Sequence, residues 1–181
     1  MVDPRGHTDG QKSAIQIDKE IGGSPALMDA LVKEINTQNP FAAYQIEANP
    51  IFDASTFWVF AEENHGRVTS LTFDLIAPNG LWNTASSIKE ELAELRQAIK
   101  TQQVVTTFRS SEGLDTDNDR IKEAVDYAEK GSGKIRAKAK GNKHFNSTEK
   151  PKITTLEDER GARGAIMAKV KANLSRIFGR E

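Results

Sequence analysis

Apolar positions along the chain recur with two different periods, and each change of period marks a new element. Leu27, Leu31 and Ile35, with Met28 and Val32 beside them, share one face of a helix that Ser24-Pro25 opens and Asn39-Pro40 ends. Tyr44, Ile46 and Ala48 then alternate with Gln45 and Glu47, as in a strand, until Asn49-Pro50 interrupts them. Residues 56–61, Thr-Phe-Trp-Val-Phe-Ala, have the aromatic and branched composition of a buried strand. The clearest strand follows the turn residues Asn64-His65-Gly66. Over 67–77, Leu71, Phe73 and Leu75 share one face at period two. Beyond Pro78-Asn79-Gly80 the period is helical again. Thr84 or Ser86 is the expected cap, and Ile88, Leu92, Leu95 and Ile99 form a stripe opposite Lys89, Glu90, Glu94 and Arg96. Val104 to Phe108 predicts another strand. Residues 67–109 therefore read as a βαβ unit, with a right-handed crossover if its strands run parallel.

Asp117 or Asp119 is the expected cap of a further helix with Ile121, Val125 and Ala128 inward and Gly131 at its end. In residues 133–140, Ile135, Ala137 and Ala139 alternate with Lys134, Arg136, Lys138 and Lys140, which predicts a strand with one apolar and one cationic face. Gly141-Asn142 turns the chain, and Pro151 to Leu156 is expected to pair back as the last strand. Residues 162–178 predict a basic amphipathic helix with Ile166, Val170, Leu174 and Ile177-Phe178 on its apolar side. The predicted fold class is α+β: a mixed sheet containing the βαβ unit at 67–109, helices mostly on one face, and a basic C-terminal helix. The expected organisation is a flexible segment at 1–21, a single α+β domain at 22–156 and the C-terminal helix at 157–181.

Composition narrows the chemistry. The 181 residues suit one domain with tails, and 28 % charged against 37 % hydrophobic residues implies extended polar segments. With no cysteine, disulfides, thiolate zinc sites and cysteine nucleophiles are excluded. The polar start of the chain does not resemble a signal peptide, and no run reaches the ~18 apolar residues of a membrane span, so a cytoplasmic location is expected. A net charge of −1 hides a strong asymmetry: residues 1–129 carry 11 Lys and Arg against 21 acids, whereas 130–181 carry 14 against 5. That division suits a basic segment offered to a polyanion or acidic partner.

The strongest candidate site is a basic ribbon, with eight Lys or Arg and the single acid Glu149 between Lys130 and Lys152. Lys134, Arg136, Lys138, Lys140 and Lys143 would meet the phosphates of a nucleic acid, and His144 and Phe145 at the turn would stack on an exposed base. The competing explanation is that these lysines guard an edge strand against pairing. Asp115, Asp117 and Asp119 superficially resemble a calcium loop, but Arg120 stands where that loop needs glycine, so helix capping is the better account. His7, His65 and His144 share no metal-ligand spacing. Gly131-Ser132-Gly133-Lys134 lacks the spacer of a phosphate loop. No catalytic residue, metal or cofactor is therefore expected, apart from a remote reading of His144 as a general base beside cations. The C-terminal helix, with Arg160, Arg163, Lys169, Lys171 and Arg176, suits docking or self-association.

Several features between residues 71 and 155 follow one another as in a known arrangement. They are Leu75-Ile76-Ala77-Pro78-Asn79 at a strand end, the charged helix after it, the strand from Lys134 to Lys140, and the turn Asn146-Ser147-Thr148 before Lys152. This order resembles the C-terminal part of an uncharacterised bacterial domain family of the phage-defence and mobile-element kind. The resemblance implies an accessory role and no active-site residues. The function expected is a non-enzymatic protein presenting its basic strand face to DNA, RNA or another polyanion. The alternative is an interaction or assembly protein of a bacterial accessory system, self-associating through residues 160–181. A phosphodiester hydrolase stands third.

Overall fold

The computed structural model of the chain describes residues 13–15, 24–42, 46–77 and 87–153. The chain divides into two units. Leu31–Lys152 is the larger; the other combines Met1–Ala30 with Ile153–Glu181, and of it residues 13–15, 24–30 and Ile153 are described. Thr84, Ser86, Tyr44, residues 154–156 and the basic helix expected at 157–181 lie outside the described residues.

Helix α1 (Ser24–Gln38) follows its predicted period, although Leu27 and Leu31 are exposed. Asn36 near its end accepts the Ile46 N–H at 2.9 Å and donates to the Ile46 carbonyl at 2.8 Å. With that backbone satisfied by a side chain, and with Pro50 lacking a donor, residues 46–50 form no strand. Residues 56–61 lie in helix α2 (Ala54–Glu63), not in a strand. The short apolar run fits either period, and the cap decides between them: the Asp53 carboxylate accepts the Ser55 N–H at 3.0 Å, and Phe57 and Ala61 then fall on the buried side.

Strand β1 (Val68–Ile76) is followed by α3 (Ser87–Ile99), β2 (Gln103–Arg109), α4 (Asp119–Tyr127), β3 (Gly133–Ala139) and β4 (Lys143–Asn146). The sheet order is β2-β1-β3-β4, and every neighbouring pair is antiparallel. The α+β class holds, but the sheet is not mixed and residues 67–109 are not a crossover unit. β2 returns alongside β1 with Ile76 opposite Gln103, and the Ala77 N–H donates to the Gln102 carbonyl at 2.9 Å. Helix α3 is thus carried in the connection between two antiparallel neighbours. A strand–helix–strand pattern is the same for both directions of the second strand, so the pattern does not decide between them.

A bulge at Thr69, between the pairs Val68↔Ala139 and Ser70↔Lys138, lets both Val68 and Leu71 face the core despite their odd spacing. One apolar cluster then joins Phe57 and Ala61 of α2 with Leu71, Phe73 and Leu75 of β1. It takes in Ile88 and Leu92 of α3, Ala124 and Val125 of α4, Ile135 and Ala137 of β3, and Phe145 of β4. Helices α2, α3 and α4 thus bury their apolar sides on one face of the sheet and leave the other open. Only the first half of the α3 stripe is covered, Ile99 being 68 % exposed. On α4 the cap is Asn118, between the two expected aspartates, and its side chain accepts the Arg120 N–H at 3.0 Å.

The second neighbour of β3 is β4, not the segment from Pro151. Gly141 and Asn142, with φ of +84° and +57°, return the chain at once into a hairpin, as left-handed residues do. Pro151 makes an isolated bridge to Phe52. Where β4 ends, the Ser147 hydroxyl accepts the Ile135 N–H at 2.9 Å and replaces the strand partner. Among the described residues, no helix is long and apolar enough to cross a membrane.

Candidate nucleic-acid interface

The pleat that turns Ile135, Ala137 and Ala139 into the core turns Lys134, Arg136 and Lys138 to the open face. Pairing then sets these cations in rows across the sheet. One row runs Arg109, Ser70, Lys138, His144; the next runs Thr107, Thr72, Arg136, Asn146; the third runs Val105, Asp74, Lys134. A depression of about 350 Å³ lies over the first two rows, lined by Ser70, Thr72, Val105, Thr107, Arg109, Arg136 and Lys138. Its floor carries hydroxyls, Thr72 and Thr107 being hydrogen-bonded at 3.0 Å, and its sides carry the three exposed cations. None of those three forms an ion pair among the described residues.

Charge is balanced towards the third row. Lys134 pairs with Glu47 at 3.7 Å, and the Asp74 carboxylate accepts a hydrogen bond from the Gln103 amide. Lys134 is therefore the least available cation of the ribbon. Lys140 and Lys143 are exposed at the hairpin, beside which the Arg67 guanidinium lies against Gly141. Lys143 has the core-side parity of Phe145, so it belongs to the hairpin end and not to the open face. His144 is exposed opposite Lys138.

Phe145 does not take the expected place. It is only 5 % exposed and packs on Phe57 and Phe60 of α2, at ring-centroid distances of 5.5 and 5.7 Å, so it is not available to stack on a base. The cause is the pleat: with His144 turned outward, its neighbour must turn inward. The edge-guarding explanation does not apply to the cations of β3, which has β1 on one side and β4 on the other; Lys143 lies on β4, itself a terminal strand of the sheet among the described residues. Arg109 completes the cationic border but was not among the residues singled out from sequence. Its one signal is the alternation Val105, Thr107, Arg109, and nothing in that alternation says that β2 lies beside β1 rather than elsewhere.

Titrating groups are perturbed elsewhere in the fold. At the start of α4, Lys122 bonds Asp117 at 2.6 Å; this holds the Asp117 carboxyl below its usual range and raises the Lys122 ammonium. Asp115 accepts the Asp117 N–H at 3.0 Å, so this acidic run is engaged in capping and pairing. Among the described residues, no group of three or more His, Asp or Glu is placed to hold a metal ion. Comparison of the chain with protein-family models, curated proteins and solved structures returns no match, and the reading of this surface rests on its own residues.

Proposed function

We propose that the open face of the sheet is a non-enzymatic binding surface for the phosphates of a nucleic acid or a similar polyanion. The observation that carries the proposal is the convergence of Arg109, Arg136 and Lys138, all without carboxylate partners among the described residues, around one hydroxyl-floored depression. Residues two apart on a strand are ~6–7 Å apart and neighbouring strands about 4.8 Å, a grid on which successive phosphates of a single strand can each meet a cation or hydroxyl. The solvent-facing side of an antiparallel sheet is ordinarily polar. What separates this one from a merely solvated face is the excess of one sign over the first two rows. With Phe145 in the core, recognition runs through the backbone and not through stacked bases, so binding is tolerant of sequence.

The test is binding of labelled single- and double-stranded DNA and RNA by the whole chain across a salt series. Three engaged cations give a slope of about −2 to −3 in log affinity against log salt. Arg136→Glu with Lys138→Glu should lower affinity at least tenfold, and Arg109→Glu should add to the loss, whereas Lys33→Glu on α1 should have a much smaller effect. Equal effects at Lys33 and at the open face, or no binding at low salt, would remove the proposal. Cleavage of the probe, lost in His144→Ala, would move the reading to hydrolysis.

A further inference from the structure

Strand β2 is one of the two terminal strands of the sheet among the described residues, and six of its seven positions are exposed. Its outward peptide groups follow from two hydrogen bonds at its ends. The Ala77 N–H donates to the Gln102 carbonyl and the Ser110 N–H donates to the Thr69 carbonyl, so the even-numbered residues from 102 to 110 bond towards β1. Alternation in an antiparallel ladder turns the N–H and C=O of Gln103, Val105, Thr107 and Arg109 away from the sheet. Natural proteins guard such an edge with proline, lysine or a bulge. Residues 103–109, Gln-Val-Val-Thr-Thr-Phe-Arg, contain neither proline nor lysine, and their register with β1 runs without a break.

We propose that β2 pairs antiparallel with β2 of a second copy of this chain, about a two-fold axis at Thr106. The strand is self-complementary in that register. Val105 faces the partner's Thr107, Gln103 faces the partner's Arg109, and Val104 faces the partner's Phe108, so no charge meets its like. The same register sets outward-facing residues opposite one another, which gives about eight new backbone hydrogen bonds. Val105 is 59 % and Phe108 45 % exposed in the single chain, and both gain cover. A centre at Val105 or Thr107 also matches the peptide groups, but it leaves the strands overhanging and takes Phe108 off Val104. Pairing extends the sheet to eight strands and makes the two open faces continuous. This contact stands independently of the polyanion reading, because it is made by backbone groups at the edge.

The chain has no cysteine, so single cysteines report on the register without interference. In the proposed pair, Thr106 and the partner's Thr106 form a non-hydrogen-bonded pair with Cα atoms ~4.5 Å apart, within disulfide range. Thr107 and the partner's Thr107 are two residues out of register, which puts their Cα atoms roughly 9 Å apart, beyond the ~7 Å limit. The full chain is expected to sediment as a dimer in the high-micromolar range. Thr106→Cys should oxidise to a covalent dimer at least tenfold faster than Thr107→Cys. Val105→Pro, which removes one outward N–H and obstructs the edge, should sediment as a monomer. A monomer at every concentration, a dimer that persists in Val105→Pro, or equal crosslinking at positions 106 and 107 would each overturn the proposal.

Discussion

The ring of Phe145 meets that of Phe57 edge to face, with centroids 5.5 Å apart and planes at 71°, and this contact ties the short strand β4 to helix α2. Both rings are nearly buried, and the ring of Phe60 also packs on Phe145, with centroids 5.7 Å apart. Phe145→Ala is therefore expected to cost about 3–5 kcal/mol, seen as a lower urea midpoint with little change of slope. Phe145→Leu should cost markedly less. Any loss of polyanion binding in Phe145→Ala should match its unfolded fraction, since the ring does not reach the open face.

Ser147 is a buried polar residue with a defined task. Its hydroxyl accepts the Ile135 N–H at 2.9 Å, where β4 has already ended. Ser147→Ala leaves that N–H buried without a partner and should cost about 1–3 kcal/mol. Hydrogen exchange at the Ile135 amide should accelerate accordingly, and unchanged exchange would show that another acceptor takes over.

Gly113 lies against the backbone of Gly66, and a Cβ added there would collide with the Gly66 carbonyl oxygen, at a φ of +128°. Neither partner is a flexible side chain that could move aside. Gly113→Ala should cost more than about 2 kcal/mol. At Gly66 a Cβ meets nothing within 4 Å, so Gly66→Ala should cost only the ~1–2 kcal/mol of a left-handed φ. Thermal melts of the two variants give the order directly, and a milder effect at Gly113 would contradict the close approach.

Tyr127 donates to the Ile76 carbonyl at 2.6 Å, and burial raises its hydroxyl above the usual value of 10.0, outweighing the lowering effects of Ser132 and Arg96. The folded chain then keeps this proton at pH values where the unfolded chain has lost it. The associated stability is complete below pH 10 and is lost as pH rises through the folded-state value. Tyr127→Phe should flatten that alkaline decline while costing about 1 kcal/mol at neutral pH through the lost hydrogen bond. Denaturant titrations of both proteins from pH 8 to 11 provide the check.

Where one period was long and uninterrupted, the sequence was legible. The nine residues of β1, with Leu71, Phe73 and Leu75 inward, and the alternation of β3, with Arg136 and Lys138 outward, follow from pleat geometry acting on side-chain polarity, and both appear in the structure. The positions of α1, α3 and α4 were legible for the same reason. Residues 56–61 were not, because the five apolar residues in a row from Phe57 to Ala61 satisfy a strand and a helix equally until Asp53 supplies a cap.

Sequence polarity alone thus determined which residues of β3 are cationic and that they share one side, since alternation is a local property. Only the tertiary structure decided what that side faces. The antiparallel return of β2 brings Arg109 into line with Lys138 across Ser70, and the immediate hairpin makes β3 an inner strand and draws Phe145 into the core. Strand direction, strand order and the choice of neighbour depend on contacts between residues far apart in the chain, and a local period carries no record of them.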